Sequence, residues 1–245
     1  MAEASKAKKV GRLAGLAYLA VIVFSAPGYM ILTQLLAGSP QTELARLAAN
    51  QTLFSLALLS SAIGFAAWAP LGLLLYRLMS SAGRIAGLVM LILALAGVAA
   101  NLIALAQLLP LAGSPDSRMD AATLAPIVQS YQRLLLFAQV FSGAWLFPFG
   151  WLVLRSRVAP WFLGVGLLAG GVFYSMVFAT AFEPGLVHTA AYRILSPITG
   201  ILGEVVGELG ICLWLLIKGA GRPKAAADHM SPRTAFGPAA GVQSR

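Results

Sequence analysis

One cysteine, two histidines and eight acidic residues are all that 245 positions offer. A single thiol, Cys212, excludes an internal disulfide and any cysteine-rich metal cluster. His188 and His229 are isolated from each other and from other ligand types, so no metal site is expected. Ser, His and Asp never cluster, and no Gly-x-Gly-x-x-Gly or phosphate loop opens a soluble helix. Nothing here marks an enzyme or a cofactor. Charged residues make up 10% of the chain, far below the roughly 25% that covers a soluble domain. A sizeable aqueous domain is therefore excluded as well.

What is present is apolar: 59% of the residues are hydrophobic. They fall into six long runs, at 13–42, 47–76, 85–115, 134–154, 158–182 and 194–217. Each exceeds the ~18 residues that cross a bilayer. The first five carry no charge. The expected fold is all-α, a bundle of six transmembrane helices in one membrane domain, 13–218. A basic segment, 1–12, precedes it. A tail, 219–245, follows; it is rich in Gly, Pro and Ala, lacks apolar periodicity and is expected to be disordered. The basic start resembles a signal peptide, but the apolar run is too long, so it is taken as an uncleaved first span.

The net charge of +9 reports orientation better than nucleic-acid binding. Thirteen of the 17 Lys and Arg residues fall at the two ends and in the links 77–84 and 155–157. The other four are Arg46, Arg118, Arg133 and Arg193. Cytoplasmic loops hold the excess of positive charge, so both termini are expected in the cytoplasm. An even number of spans demands the same.

Smaller signals refine the picture. Ser39-Pro40 predicts the cap and first turn of a helix at 41–50, with Leu44 and Leu47 on one face, lying along the interface. Ser117 and Asp120 suggest a capped helix at 119–132 that leads into span four. Pro27, Pro70 and Pro148 predict kinks in spans one, two and four. Gly166 and Gly170, and likewise Gly203 and Gly207, stand four apart, a spacing that lets helices pack closely. Packing within the bundle is preferred to dimerisation.

Three segments carry a family signature. The first runs from Ala48-Ala49-Asn50-Gln51-Thr52-Leu53-Phe54 to Leu73-Leu74-Leu75-Tyr76-Arg77-Leu78. The second is Gly150-Trp151-Leu152-Val153-Leu154-Arg155-Ser156-Arg157 with Pro160 and Leu163-Gly164. The third is Glu208-Leu209-Gly210 with Leu213-Trp214-Leu215-Leu216-Ile217-Lys218-Gly219. In order and spacing they resemble the bacterial six-span membrane proteins catalogued as domain of unknown function 4386. The resemblance covers about 11–219. It implies a bacterial inner-membrane protein with six helices, and it supplies no catalytic residues.

The chemistry concentrates in span six, where Glu204 and Glu208 share a helix face. At 1.5 Å per residue they lie roughly 9 Å and 15 Å below the outer boundary. A charged acid at such depth costs at least ~2.5–3.5 kcal/mol. Each must be neutral, paired or in contact with water. Asn101, Gln139, Ser142 and Tyr174 lie at comparable depth, and Arg133 stands at the mouth of span four. A polar pocket in the outer half follows, with Glu204 and Glu208 binding a proton or ligand, Arg133 as counter-ion, and Asn101 and Gln139 adding hydrogen bonds. The function expected from it is binding or translocation of a small or cationic solute, or of protons, from the periplasmic side. Hydrogen-bonded helix packing is the simpler role for such groups. The alternative function is a non-catalytic membrane protein that stabilises or regulates a partner complex. The expected partners are the lipid bilayer and either a membrane protein or further copies of the chain, since six spans are few for a monomeric carrier.

Overall fold

The computed structural model describes residues 2–112 and 120–220. Among these every regular element is helical. They are α1 (Ala2–Leu35), α2 (Pro40–Ala49), α3 (Gln51–Met79), α4 (Arg84–Ala106), α5 (Ala121–Ala144), α6 (Leu146–Ser156), α7 (Trp161–Ala179), α8 (Ala190–Gly200) and α9 (Gly210–Lys218). A π-helical segment, Ile201–Leu209, joins α8 to α9. Short 3₁₀ turns occupy Leu109–Leu111 and Pro184–His188.

Six helical stretches are long and apolar enough to cross a bilayer: Ser5–Leu35, Gln51–Met79, Arg84–Leu111, Ala121–Ser156, Trp161–Ala179 and Ala190–Lys218. The expected number of spans is met and their ends move. The first helix continues through Lys6, Lys8, Lys9 and Arg12 instead of starting after them. Long basic side chains can stay helical there and reach the head groups. Span one also stops at Leu35, well short of 42, because Gly38 adopts φ 115° and turns the chain into α2. Only Gly takes that conformation without strain.

The local capping signals hold. Ser39 caps α2: its Oγ accepts from Thr42 N at 3.3 Å, with Pro40 at the first turn. α2 turns Leu47 and the half-buried Leu44 inward. Asp120 caps α5 by accepting from Thr123 N and Oγ1, both at 2.8 Å. These bonds hold the Asp120 carboxyl below the usual range. The expected partner in that motif, Ser117, lies outside the described residues, as do the loop around Asp116 and Arg118, His229 and the tail from 221.

Span four is broken. α5 ends at Ala144 and α6 begins at Leu146, with Trp145 between them. Pro148 has no N–H for the carbonyl four residues back, which accounts for the break. By contrast, α1 and α3 run unbroken through Pro27 and Pro70.

The two chain ends meet. α1 packs along α9, and Arg12 Nη2 donates to Ile217 O at 3.4 Å. Cys212 Sγ approaches Gly15 O at 3.6 Å. We call this the terminal face, and the opposite one, with α2 and the turn at Pro184–His188, the distal face. Two hydrophobic cores result. The terminal-half core draws on α1, α3, α4, α6, α7 and α9, with Trp145, Phe149 and Tyr18 among its largest members. The distal-half core draws on α1 to α5 only. No buried residue of α7, α8 or the π segment joins it. The distal half of span six therefore packs chiefly on α7. There Gly203 and Gly207 meet the backbone of Gly170 and Gly166 so closely that an added methyl would overlap it. The small-residue spacing thus serves packing between spans five and six.

Candidate functional site

The site stands where the two cores part. Tyr18, fully buried on α1, donates its hydroxyl to Glu208 Oε2 at 3.1 Å. This bond spans 190 residues of sequence. Tyr18 is fixed by aromatic neighbours, Trp145 at 6.2 Å and Phe149 at 6.4 Å between ring centroids. Trp145 in turn stacks on Phe149 at 5.2 Å and meets Trp68 edge-on at 5.2 Å. The broken helix of span four thus delivers Trp145 to the wall behind the acid.

Glu208 is half-buried, whereas Glu204 is exposed on the distal side of it. Tyr174 of α7 lies in electrostatic reach of both carboxyls, and Tyr29 of α1 in reach of Glu204. Tyr18 and Glu208 stand at mid-depth, and Tyr29 and Tyr131 lie farther into the distal half. On the terminal side of Tyr18, Ala14, Ile211, Cys212 and Leu215 are among the members of the terminal-half core.

The sequence-derived set is only partly assembled. Glu204 and Glu208 do sit together, but on π-helical rather than α-helical backbone. Arg133 is exposed on α5 and forms no ion pair with either glutamate among the described residues. The expectation that it would be their counter-ion is not met, because α7 stands between α5 and the π segment. Asn101 is 2% exposed and turns its Nδ2 to Gly97 O on its own helix at 2.9 Å. Gln139 is half-buried on α5 and makes no hydrogen bond to the acids among the described residues. Ser142 bonds Ala138 O of its own helix at 3.3 Å. The partners actually supplied are tyrosines. Span one carries no acid that would have drawn attention to Tyr18 and Tyr29. Their signal was available only in part: an even number of spans allows the first and last helices to be neighbours.

A family model described as a domain of unknown function, DUF4386, matches residues 13–219. The chain belongs to this family. No curated protein and no solved structure matches it. The segments that signal DUF4386 membership have visible structural duties. Gln51 Nε2 donates to Leu111 O at 2.8 Å, tying α3 to the 3₁₀ turn that follows α4. Gly150 and Gly164 each face the other's carbonyl, which brings α6 and α7 together. Trp214 Nε1 donates to Val158 O at 3.2 Å, tying α9 to the link before α7. Arg155 lies over the Trp151 ring at 4.9 Å, a cation–π contact. In DUF4386 the signature therefore describes the scaffold, and only Glu208 in it belongs to the site.

Proposed function

We propose that this protein binds a proton or a small cation at Glu208, admitted through the distal half, as a non-enzymatic protein of the bacterial inner membrane. The observation that carries this reading is the Tyr18–Glu208 bond, placed where the distal halves of spans one and six lose their shared core. A carboxyl at that depth is too costly to keep charged without a partner. No lysine or arginine among the described residues forms an ion pair with Glu208, so the neutral form is favoured.

The basic residues at the terminal face support a cytoplasmic position for both chain ends. The distal side, on which Glu204 is exposed, then faces the periplasm, and the apolar terminal-half core closes the other side. Glu204, exposed and without a salt bridge among the described residues, would receive the incoming charge first. Arg133 is left without a role here, and Asn101 and Gln139 are assigned to helix packing.

Infrared spectroscopy of the full chain in nanodiscs tests the reading. A protonated carboxyl band should be present at neutral pH, shift or vanish as pH rises or a cation is added, and be missing in Glu208→Gln. An ionised Glu208 at neutral pH with no ion bound would sink it. The second reading, stabilisation of a partner complex or of a homo-oligomer, is favoured by one feature. The distal half of span six presents Ile194, Ile198, Ile201 and Val205 on its uncovered side. A crosslinked partner at Ile198 with no carboxyl titration would favour that alternative.

A further inference from the structure

In the terminal half α1 packs along α9, which seals the first span against the last. In the distal half α1 has no comparable packing with α8 or the π segment, so helix contact does not close that seam. The order of residues round the π segment places the acids at its edge. Gly203 seats on Gly170 of α7, Glu204 comes one step round the axis, and Val205, 54% exposed, one step further. Glu204 thus stands between the α7 contact and the uncovered side. Glu208 likewise follows Gly207, which seats on Gly166. Ile198 and Ile201 extend the uncovered side, and across the seam Tyr29 and Met30 of α1 are exposed as well. Hydroxyls without partners accompany the acids. Tyr18 is bonded to Glu208, but those of Tyr29, Tyr131 and Tyr174 make no hydrogen bond among the described residues. Tyr131 is 2% exposed and in electrostatic reach of Tyr29, as Tyr29 is of Glu204. A buried hydroxyl without a partner carries a cost that a bound polar group removes.

We infer that the seam between the distal halves of α1 and span six takes an amphiphilic amine, an ammonium group on an apolar chain that enters sideways from the membrane. This rests on the cation-binding reading above and names the class of cation. The charge is complementary: Glu204 and Glu208 form no ion pair with any base among the described residues. A bare metal ion suits the place poorly. Hard cations take roughly six or more oxygen ligands, and no third acid, histidine or cysteine joins the pair among the described residues. An ammonium head brings several N–H donors for carboxylate and phenol oxygens, and the rings of Tyr29 and Tyr174 attract it further. Its chain lies along Ile198, Ile201 and Val205 in place of bilayer lipid. On binding, one acid releases its proton to water on the distal side, and the carboxylate so formed pairs with the ammonium.

Dodecylammonium with a diazirine in mid-chain tests this on the full chain in phosphatidylcholine nanodiscs, with the carboxyl infrared band recorded on the same samples. The expected label falls on the uncovered side of span six, around Ile198, Ile201 and Val205, and on the facing part of α1. Unlabelled dodecylammonium should protect these positions, and dodecanol, with the same chain and no charge, should not. Dodecylammonium should also remove the protonated carboxyl band. Both effects should be lost in Glu208→Gln and weakened in Glu204→Gln; the second variant, at an exposed position, decides the matter where the first does not insert. Equal protection by dodecanol, or labelling unchanged in both variants, overturns the amine site. A band that answers to pH or to methylammonium but not to dodecylammonium overturns it too and leaves the proton- or small-cation reading standing. A band that answers to none of these removes both.

Discussion

Replacing Tyr18 by Phe deletes one hydroxyl and leaves the ring among Trp145 and Phe149. The size of the effect reports the charge on Glu208. Hydrogen bonds between membrane helices average about 0.6 kcal/mol and reach at most about 1.7. A bond to a charged group is worth about 1.5–3 kcal/mol. The absence of an ion pair to Glu208 among the described residues places this pair in the first class. A double-mutant cycle over wild type, Tyr18→Phe, Glu208→Leu and the double variant should therefore give a coupling of about 0.6 kcal/mol, less than a threefold change in the unfolding constant. Glu208→Gln alone should cost under about 1 kcal/mol, because the amide keeps an acceptor for the Tyr18 hydroxyl. Glu208→Leu loses that acceptor and strands the hydroxyl, so it should cost more than the Gln variant. Reversible unfolding by steric trapping in bicelles measures all of these. A coupling above about 2 kcal/mol would mean that Tyr18 is bonded to a carboxylate, and the neutral-acid argument would fail.

Other outcomes follow from the same coordinates. Reporter fusions at Ser81 and after Gly219 should report cytoplasm, and those near Asp116 and His188 periplasm; a periplasmic signal at Ser81 would invert the orientation. Gly203→Val would drive a side chain into Gly170 and should destabilise the bundle by about 1–3 kcal/mol, the usual range for overpacking; unchanged stability would show that spans five and six do not meet there. Glu43 is 5% exposed, and its burial pushes the carboxyl up against the opposing pull of Arg46. Its folded state thus favours the proton, so its contribution weakens as pH rises from the ordinary carboxylate range through the raised value; Glu43→Gln should flatten that dependence and stabilise α2 at neutral pH, as read by hydrogen exchange. Asp120 behaves oppositely: its carboxyl is held low, so the cap is fully present above the ordinary range and is lost as pH falls through the lowered value. Asp120→Ala should speed exchange in the first turn of α5 at neutral pH, whereas Asp120→Asn should keep the cap.

Several features were determined by local sequence alone. The six spans follow from the length of apolar runs, since a bilayer accepts little else. The caps at Ser39 and Asp120 follow from side chains that bond amides three residues away. Close packing of the two spans that carry Gly166 and Gly170, and Gly203 and Gly207, follows from small residues one turn apart, although which spans meet does not. Depth along span six singled out Glu204 and Glu208, because an acid in lipid requires an explanation wherever the helix turns.

Tertiary structure decided what the acids meet. Arg133 matched them in depth, but depth is one coordinate. The angular order of helices around the bundle interposed α7 between α5 and the π segment. Tyr18 reached Glu208 because the first and last spans are neighbours, a relation that long-range packing fixes and local pattern does not. The π segment was equally hidden. Its residues, Ile201–Leu209, contain no proline, and a four-residue spacing of acids fits an α-helix as well. Whether nine residues close wide rings or ordinary ones depends on how Gly203 and Gly207 seat on α7 while Glu208 meets α1, and that balance exists only in the folded bundle.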